Sequence, residues 1–215
     1  MRFSYASLPD HPVAEIVETI ALADELGFHG AYMADETYHK DGWLIAGVAA
    51  TRTSRIRLSP CVTHVILKEP TILAHTIATL DELSGGRAEA VYSIGNIAML
   101  DQYHVDWKSG GQIERHGIDP DSLQPIFDAF GRGDVEGAIE ATTLELTEKL
   151  SLSGTPEEWV ERIRRDVIPT GFNHLICSPI DPFLVEAWSG LEVANVTDQQ
   201  CQLRLIHDRV MPALA

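Results

Sequence analysis

The chain has 215 residues, and 32 acidic against 16 basic side chains give a formal net charge of −16 at pH 7. That charge repels nucleic acid, and no basic stripe offsets it, so we exclude a nucleic-acid partner. No apolar run approaches the ~18 residues that indicate a membrane span, and no secretory signal is visible. Three cysteines without metal-type spacing favour a reduced, cytoplasmic protein.

Short β-rich segments alternate with amphipathic helical segments in the N-terminal half of the chain. The strand candidates are 2–6, 30–34, 56–60 and 88–93. The helical segments carry apolar stripes at three- and four-residue spacing, such as the one from Val13 to Leu26, and glycines follow them at Gly27 and Gly85. Alternation of this kind predicts parallel βαβ units and an α/β fold.

The second half is almost wholly helical over 119–165, followed by one strand candidate at 173–177 and a C-terminal amphipathic helix. Thr155 is a good helix cap, with Pro156 in the first turn. The glycine-rich stretch 131–133 lies between helices, so it indicates a helix break rather than a dinucleotide loop. About five parallel strands are countable, whereas a closed TIM-type barrel needs eight and roughly 250 residues.

Four segments resemble the luciferase-like family. The string ATLDELSGGRAE at 78–89 is similar to the family's signature, in which a helix ends in a Ser-x-Gly-Arg turn that leads into the fourth strand. Residues 23–36 resemble the passage from helix one to strand two, and 153–163 with 174–182 resemble the final helix and strand. Within the family the likeness is to methylenetetrahydromethanopterin reductases and related deazaflavin-dependent enzymes, which also carry an ERHG-type run, here at 114–117.

The resemblance implies one shortened (β/α) barrel domain over 1–215. Residues 1–107 would hold the N-terminal βα units, and 112–215 the helical segment, the last strand and the C-terminal helix; the missing middle falls near 108–112. It also implies a deazaflavin of the coenzyme F-420 type or FMN as cofactor, and a small-molecule substrate. Relatives dimerise through helices two and three, so we expect a homodimer with these apolar contacts: Trp43, Ile45, Val48, Ile72 and Ile77.

Barrel enzymes place their chemistry at the carboxyl ends of the strands. On the resemblance, the catalytic candidates are Asp35, Glu36 and His64. The cofactor-binding candidates are Cys61, Val62, Thr63, Gly95, Asn96 and Ser178. Relatives have a non-prolyl cis peptide after strand three, usually with Gly where Cys61 stands. Two structural alternatives stay open: Glu36 as a solvated helix-capping carboxylate, and His64 as a hydrogen-bonded loop residue.

Three polar positions of the reductase site are changed in this chain. Ala6 stands where the reductases carry Glu, Glu36 where they carry His, and Asn96 where they carry Asp. The loops that hold the cofactor phosphate belong to the missing middle, and neither HExxH nor paired CxxC predicts a metal site. Two functions therefore remain open. One is a degenerate flavin- or deazaflavin-dependent oxidoreductase acting by hydride transfer. The other is a cofactor-independent cyclase, isomerase or binding protein, with an oligomer-dependent remnant as a third reading.

Overall fold

The computed structural model describes the following residues: 1–64, 67–93, 103, 120–150, 152, 154–179, 182, 185–186 and 197–215. A four-stranded parallel sheet forms the centre of the fold. Its strands are β1 (Arg2–Ser7), β2 (Gly30–Met33), β3 (Arg57–Pro60) and β6 (His174–Cys177). A second, two-stranded sheet pairs β4 (Thr63–His64) with β5 (Tyr92–Ser93).

Eight α-helices lie in the described part of the chain. They are α1 (Val13–Glu25), α2 (Gly42–Ala50), α3 (Pro70–Ser84), α4 (Gln124–Gly131), α5 (Val135–Ala141), α6 (Leu144–Leu150), α7 (Pro156–Arg162) and α8 (Gln199–Leu205). Single-turn 3-10 or π segments precede α4 and extend α7 and α8. The alternation of strands and helices up to β5, and the helical run that follows, confirm the α/β class.

The strands follow the order β3-β2-β1-β6, so the last strand of the chain lies beside the first. Arg2 pairs with His174 in that ladder. Leu58 of β3 makes an isolated parallel bridge to Ala88, which links the two sheets. The predicted strand 88–93 thus consists of this bridge and the short β5. Within the described ranges β5 and β6 do not pair with each other, and the barrel is open. The suspected junction at 108–112 lies outside the described residues.

The two faces of the central sheet differ in polarity. Phe3, Ala31 and Leu58 lie on the outer face and belong to the buried apolar core that the helices cover. Successive side chains of a strand point to opposite faces, so Ser4 and Tyr32 lie on the inner face, both buried. The hydrophobic core therefore sits between sheet and helices, and the inner face is polar.

The Ser-x-Gly-Arg turn closes α3 onto the rest of the fold. Gly85 ends the helix with φ of 70°, a left-handed conformation that favours glycine. The Arg87 guanidinium then donates to the carbonyl oxygens of Ala50, Thr53 and Ile56 at 2.8–3.1 Å. One side chain thus fixes the ends of α2 and α3 against the start of β3.

Local signals in the second half also form the predicted structures. Thr155 makes a complete capping box with Glu158 at the start of α7. The expected helix break is present: α4 ends at Gly131, and Gly133 has φ of 72°. Helix α8 docks on the first strand, because the Tyr5 hydroxyl donates to Gln199 Oε1 at 2.6 Å.

The expected dimer contacts need correction on α2. Trp43 and Ile45 are buried within the monomer, at 7% and 2% exposure, because they face the sheet and the core. That part of the prediction was wrong. Val48 and Ile72 are exposed, at 48% and 64%, whereas Ile77 is partly buried against the core.

Candidate functional site

Asp35 follows β2 and lies in a buried network that reaches α2 and the loop after β4. Its carboxylate accepts a short hydrogen bond from the Thr63 hydroxyl and lies 2.6 and 2.7 Å from Lys68 Nζ. Trp43 Nε1 in turn donates to Thr63 Oγ1 at 2.9 Å. Asp35 is only 8% exposed. Both of its oxygens are engaged, so the carboxylate can orient the end of β4 directly.

Glu36 belongs to a different cluster, which sequence reasoning missed. His39 Nδ1 lies 2.6 Å from Asp10 Oδ1, and its Nε2 lies 3.5 Å from Glu36 Oε2. The neighbouring Lys40 ammonium donates to the Asp10 carbonyl at 2.6 Å. The cluster joins the loops after β1 and β2. The His39 imidazole therefore contacts Glu36, the position at which the similar reductases carry histidine. The sequence signal for this contact was that His39 stands three residues after Glu36.

The segment between β3 and β4 carries the expected cis peptide, between Cys61 and Val62. Burial raises the pKa of the half-buried Cys61 thiol, which keeps it protonated near neutral pH. Thr63 points towards α2, where it meets Trp43. Because side chains alternate along a strand, His64 points to the opposite, inner side.

His64 is the most unusual polar residue of the site. It is 2% exposed, and neither ring nitrogen has a hydrogen-bond partner among the residues that the structure describes. Buried polar groups are normally paired, and an unpaired one costs folding free energy. A neutral imidazole offers one donor and one acceptor. His64 is therefore suited to a ligand that presents both.

The remaining cofactor-binding candidates do not all join this group. Gly95 and Asn96 lie outside the described residues. Ser178 follows β6, is exposed, and lines a groove of about 270 Å³ with Trp159 and Gln202 rather than with the residues that follow β2 and β3. The structure thus brings Asp35 and Thr63 together, with His64 next in the chain, and leaves Glu36 and Ser178 in other surroundings.

A second polar cluster, also missed, covers the inner face below these strand ends. The Tyr32 hydroxyl donates to Glu89 Oε2 and Arg57 Nε donates to Glu89 Oε1, both at 2.5 Å. The Ser4 hydroxyl lies 2.7 Å from His174 Nε2. Burial and the contact with Glu89 raise the pKa of Tyr32. Burial opposes ionisation of Glu89, yet its bonds with Tyr32 and Arg57 lower its pKa overall. This cluster is a set of mutually satisfied groups.

None of the helices in the described part of the chain combines the length and apolar character that a bilayer crossing requires. Across the same residues, no group of three or more His, Cys, Asp or Glu side chains is placed to hold a metal ion.

Comparison with known proteins relates part of the chain to one family. Residues 1–96 match the model of the luciferase-like monooxygenase family. A 5,10-methylenetetrahydromethanopterin reductase from Methanolobus tindarius is 31% identical over 108 residues, which are 50% of this chain and 33% of the relative. The matched region thus spans about a third of that relative's length. The chain is related to the luciferase-like family.

Solved structures share the fold at low sequence identity. A coenzyme F-420-dependent tetrahydromethanopterin reductase from Methanopyrus kandleri superimposes with a TM-score of 0.82 at 17% identity, covering 100% of this chain and 99% of that one. The oxygenating constituent of 3,6-diketocamphane monooxygenase from Pseudomonas putida, in complex with FMN, gives 0.62 at 13% identity, with 99% of both chains covered. The fold is that of the luciferase-like TIM-barrel proteins, here without a closed barrel.

Proposed function

We propose that the protein is a flavin- or deazaflavin-dependent oxidoreductase that transfers hydride to or from a small organic substrate. The observation that carries the proposal is His64, a buried imidazole on the inner side of the strand ends whose two nitrogens have no partner among the described residues. The relatives support the cofactor class, since one is named for coenzyme F-420 and another is in complex with FMN.

The residues present fit such a ring. The polar edge of a flavin or deazaflavin carries N–H and carbonyl groups, and one nitrogen of the His64 imidazole could pair with one of these groups. His64 would hold that edge, and the main chain at Cys61 and Val62 would lie beside it. When bound, the cofactor supplies the hydride chemistry, and the protein supplies binding and orientation.

The other polar residues hold neighbouring residues of the site in place. Asp35 fixes Thr63, and with it the strand that presents His64. His39 is held between Asp10 and Glu36 and has a buried side chain, so in this proposal it fixes the loops after β1 and β2 relative to each other. Glu36 thus acts as the partner of His39.

A homodimer in the cytoplasm is the assembly we propose for this enzyme. A groove of about 1010 Å³ runs between α2 and α3. Leu44 is 73% exposed beside it, and Val48, Ile72 and Leu83 are also exposed. Contiguous apolar surface of this kind marks an interface, and a second copy of the chain would cover it.

A cofactor-independent catalyst or binding protein is the second candidate. The observation that favours it is the full engagement of the Asp35 carboxylate with Lys68 and Thr63, which leaves no free oxygen for proton transfer. Ala6, where the reductases carry Glu, removes another acid. On this reading the strand ends form a pocket that has lost its redox role.

The experiment is to record absorbance from 350 to 500 nm on the purified protein, then to titrate cofactor-free protein separately with FMN and with coenzyme F-420. We expect one cofactor to bind, and His64→Leu to weaken it about tenfold through loss of the hydrogen bonds. His207, whose side chain is 43% exposed and which lies on the C-terminal segment that extends α8, provides the control, since His207→Leu should leave affinity unchanged.

Stability separates a ligand role from a structural one. Because the His64 nitrogens have no partner in the described part of the chain, His64→Leu should leave the cofactor-free protein as stable as wild type or more so. Turnover with methylene-tetrahydropterin-type substrates should be weak, since Ala6 and Asn96 replace acids. Failure of both cofactors to bind would favour the second candidate, and robust turnover would contradict the expected degeneracy.

A further inference from the structure

A cavity of about 430 Å³ lies on the outer side of the sheet, apart from the strand ends of the proposed cofactor site. It is open to solvent on one side and is bordered by the loop after β1, by α1 and by the start of α8. Its lining comprises Ser7, Leu8, His11, Glu15, Ile16, Thr19, Pro182, Asp198, Gln199 and Gln200. Hydrogen bonds tie the walls together, because Gln200 Nε2 donates to Thr19 Oγ1 at 3.2 Å. The volume falls within the range typical of small-molecule pockets.

The buried hydroxyl of Ser7 is the first observation that indicates a ligand in the cavity. Its residue exposure is 9%, and its Oγ has no hydrogen-bond partner among the described residues. Ser7 shares a strand face with Tyr5, whose hydroxyl reaches Gln199 of α8, so the Ser7 hydroxyl lies on the cavity side of β1. A ligand atom there would satisfy a hydroxyl that the described residues leave unpaired.

Charge defines the class of that ligand. Among the residues that the structure describes, the lining contains two carboxylates, Glu15 and Asp198, and neither lysine nor arginine. The main-chain N–H of Cys201 lowers the pKa of Asp198, which keeps it ionised near neutral pH. His11 Nδ1 lies 3.6 Å from Glu15 Oε2, whereas no basic side chain of the described lining pairs with Asp198.

We propose that this cavity binds a small alkylammonium cation. The ammonium group donates to Ser7 Oγ and is attracted by Glu15 and Asp198. The alkyl chain packs on the apolar part of the lining, which includes Leu8 and Ile16. A carboxylate or phosphate ligand would meet like charge here, so the site discriminates against anions.

The test compares three probes of the same size with cofactor-free protein, by titration calorimetry at 0.15 M salt. n-Butylammonium should bind, n-butanol should bind more weakly, and butyrate should not bind. Ser7→Ala should weaken n-butylammonium binding about tenfold, the usual effect of one lost hydrogen bond to a charged group. Glu15→Gln should weaken it about threefold, because this carboxylate is 61% exposed and solvent screens its attraction.

A matched control variant accounts for the nonspecific attraction of cations to an acidic protein. Glu18 lies exposed on α1 outside the lining, and Glu18→Gln makes the same charge change as Glu15→Gln. It should leave affinity unchanged. Equal losses in the two variants would overturn the proposal, as would equal binding of n-butylammonium and butyrate, or no binding at all. If Ser7→Ala does not fold, the Glu15 and Glu18 pair decides alone. Failure here leaves the FMN and coenzyme F-420 titrations unaffected.

Discussion

Replacing Arg87 with Met should destabilise the fold more than any other single change in the signature turn. The Arg87 side chain makes five hydrogen bonds: Nε to the Ser84 carbonyl, Nη1 to Thr53 Oγ1 and the Ile56 carbonyl, and Nη2 to the carbonyls of Ala50 and Thr53. Each bond from a charged donor contributes about 1.5–3 kcal/mol. Water reaches this half-buried site and the contributions are not additive, so we expect a loss of about 3 kcal/mol.

The free energy of unfolding would be measured by urea titration with far-UV circular dichroism. With a slope of about 2 kcal/mol/M, the midpoint for Arg87→Met should fall by about 1.5 M. Arg87→Lys keeps the charge but cannot span the same carbonyls, so it should lose about 2 kcal/mol. Arg52 is exposed just after α2, and Arg52→Met should change stability by less than about 0.5 kcal/mol. A loss below about 1 kcal/mol for Arg87→Met would refute the reasoning.

Three further predictions follow from the site and the surface. Asp35→Asn should cost about 2 kcal/mol, less than a fully buried ion pair because its lysine partner is a third exposed; it should also lower kcat more than Glu36→Gln, and the reverse ranking would contradict the network. Burial and the charge of Arg2 lower the pKa of His29 below the ordinary 6.5. Burial, His29 and Arg2 lower the pKa of His174 below the same value. As the pH is lowered, the unfolded chain therefore binds protons at these histidines before the folded chain does. The urea midpoint of wild type should decrease from pH 7.5 to pH 5.5, whereas the midpoint of the variant with Gln at both positions should not change. Leu44→Glu should convert a light-scattering mass near twice 23.7 kDa to the monomer value; a wild-type monomer at micromolar concentration would exclude the dimer.

Features that depend on neighbouring residues were predictable from the sequence. The left-handed end of α3 at Gly85 and the capping box at Thr155 depend on side chains within four residues of each other. The strand at 173–177 was predictable because β6 retains a short apolar pattern between a turn and a proline. In each case local propensity and the final fold agree.

Features that depend on distant pairs were not predictable. Ser4 meets His174 across 170 positions, and Asp35 meets Lys68 across 33. The periodicity of a sequence does not indicate which distant residues will be in contact. The burial of Trp43 was missed because nearly every residue of α2 is apolar, so the pattern cannot say which side faces the sheet. The two-residue β4 is too short to give any alternation.

The polar inner face of the central sheet lowers the free-energy cost of leaving the barrel open. Parallel sheets usually need cover on both sides because both are apolar. Here Ser4, Tyr32 and Glu89 hydrogen-bond within the face, and Ile176 is left 47% exposed at its rim. The polar groups on this side bond to one another, so the sheet does not depend on a closed barrel to satisfy them. Closing the barrel would then matter for sheltering a reaction from solvent, and much less for keeping the half barrel folded.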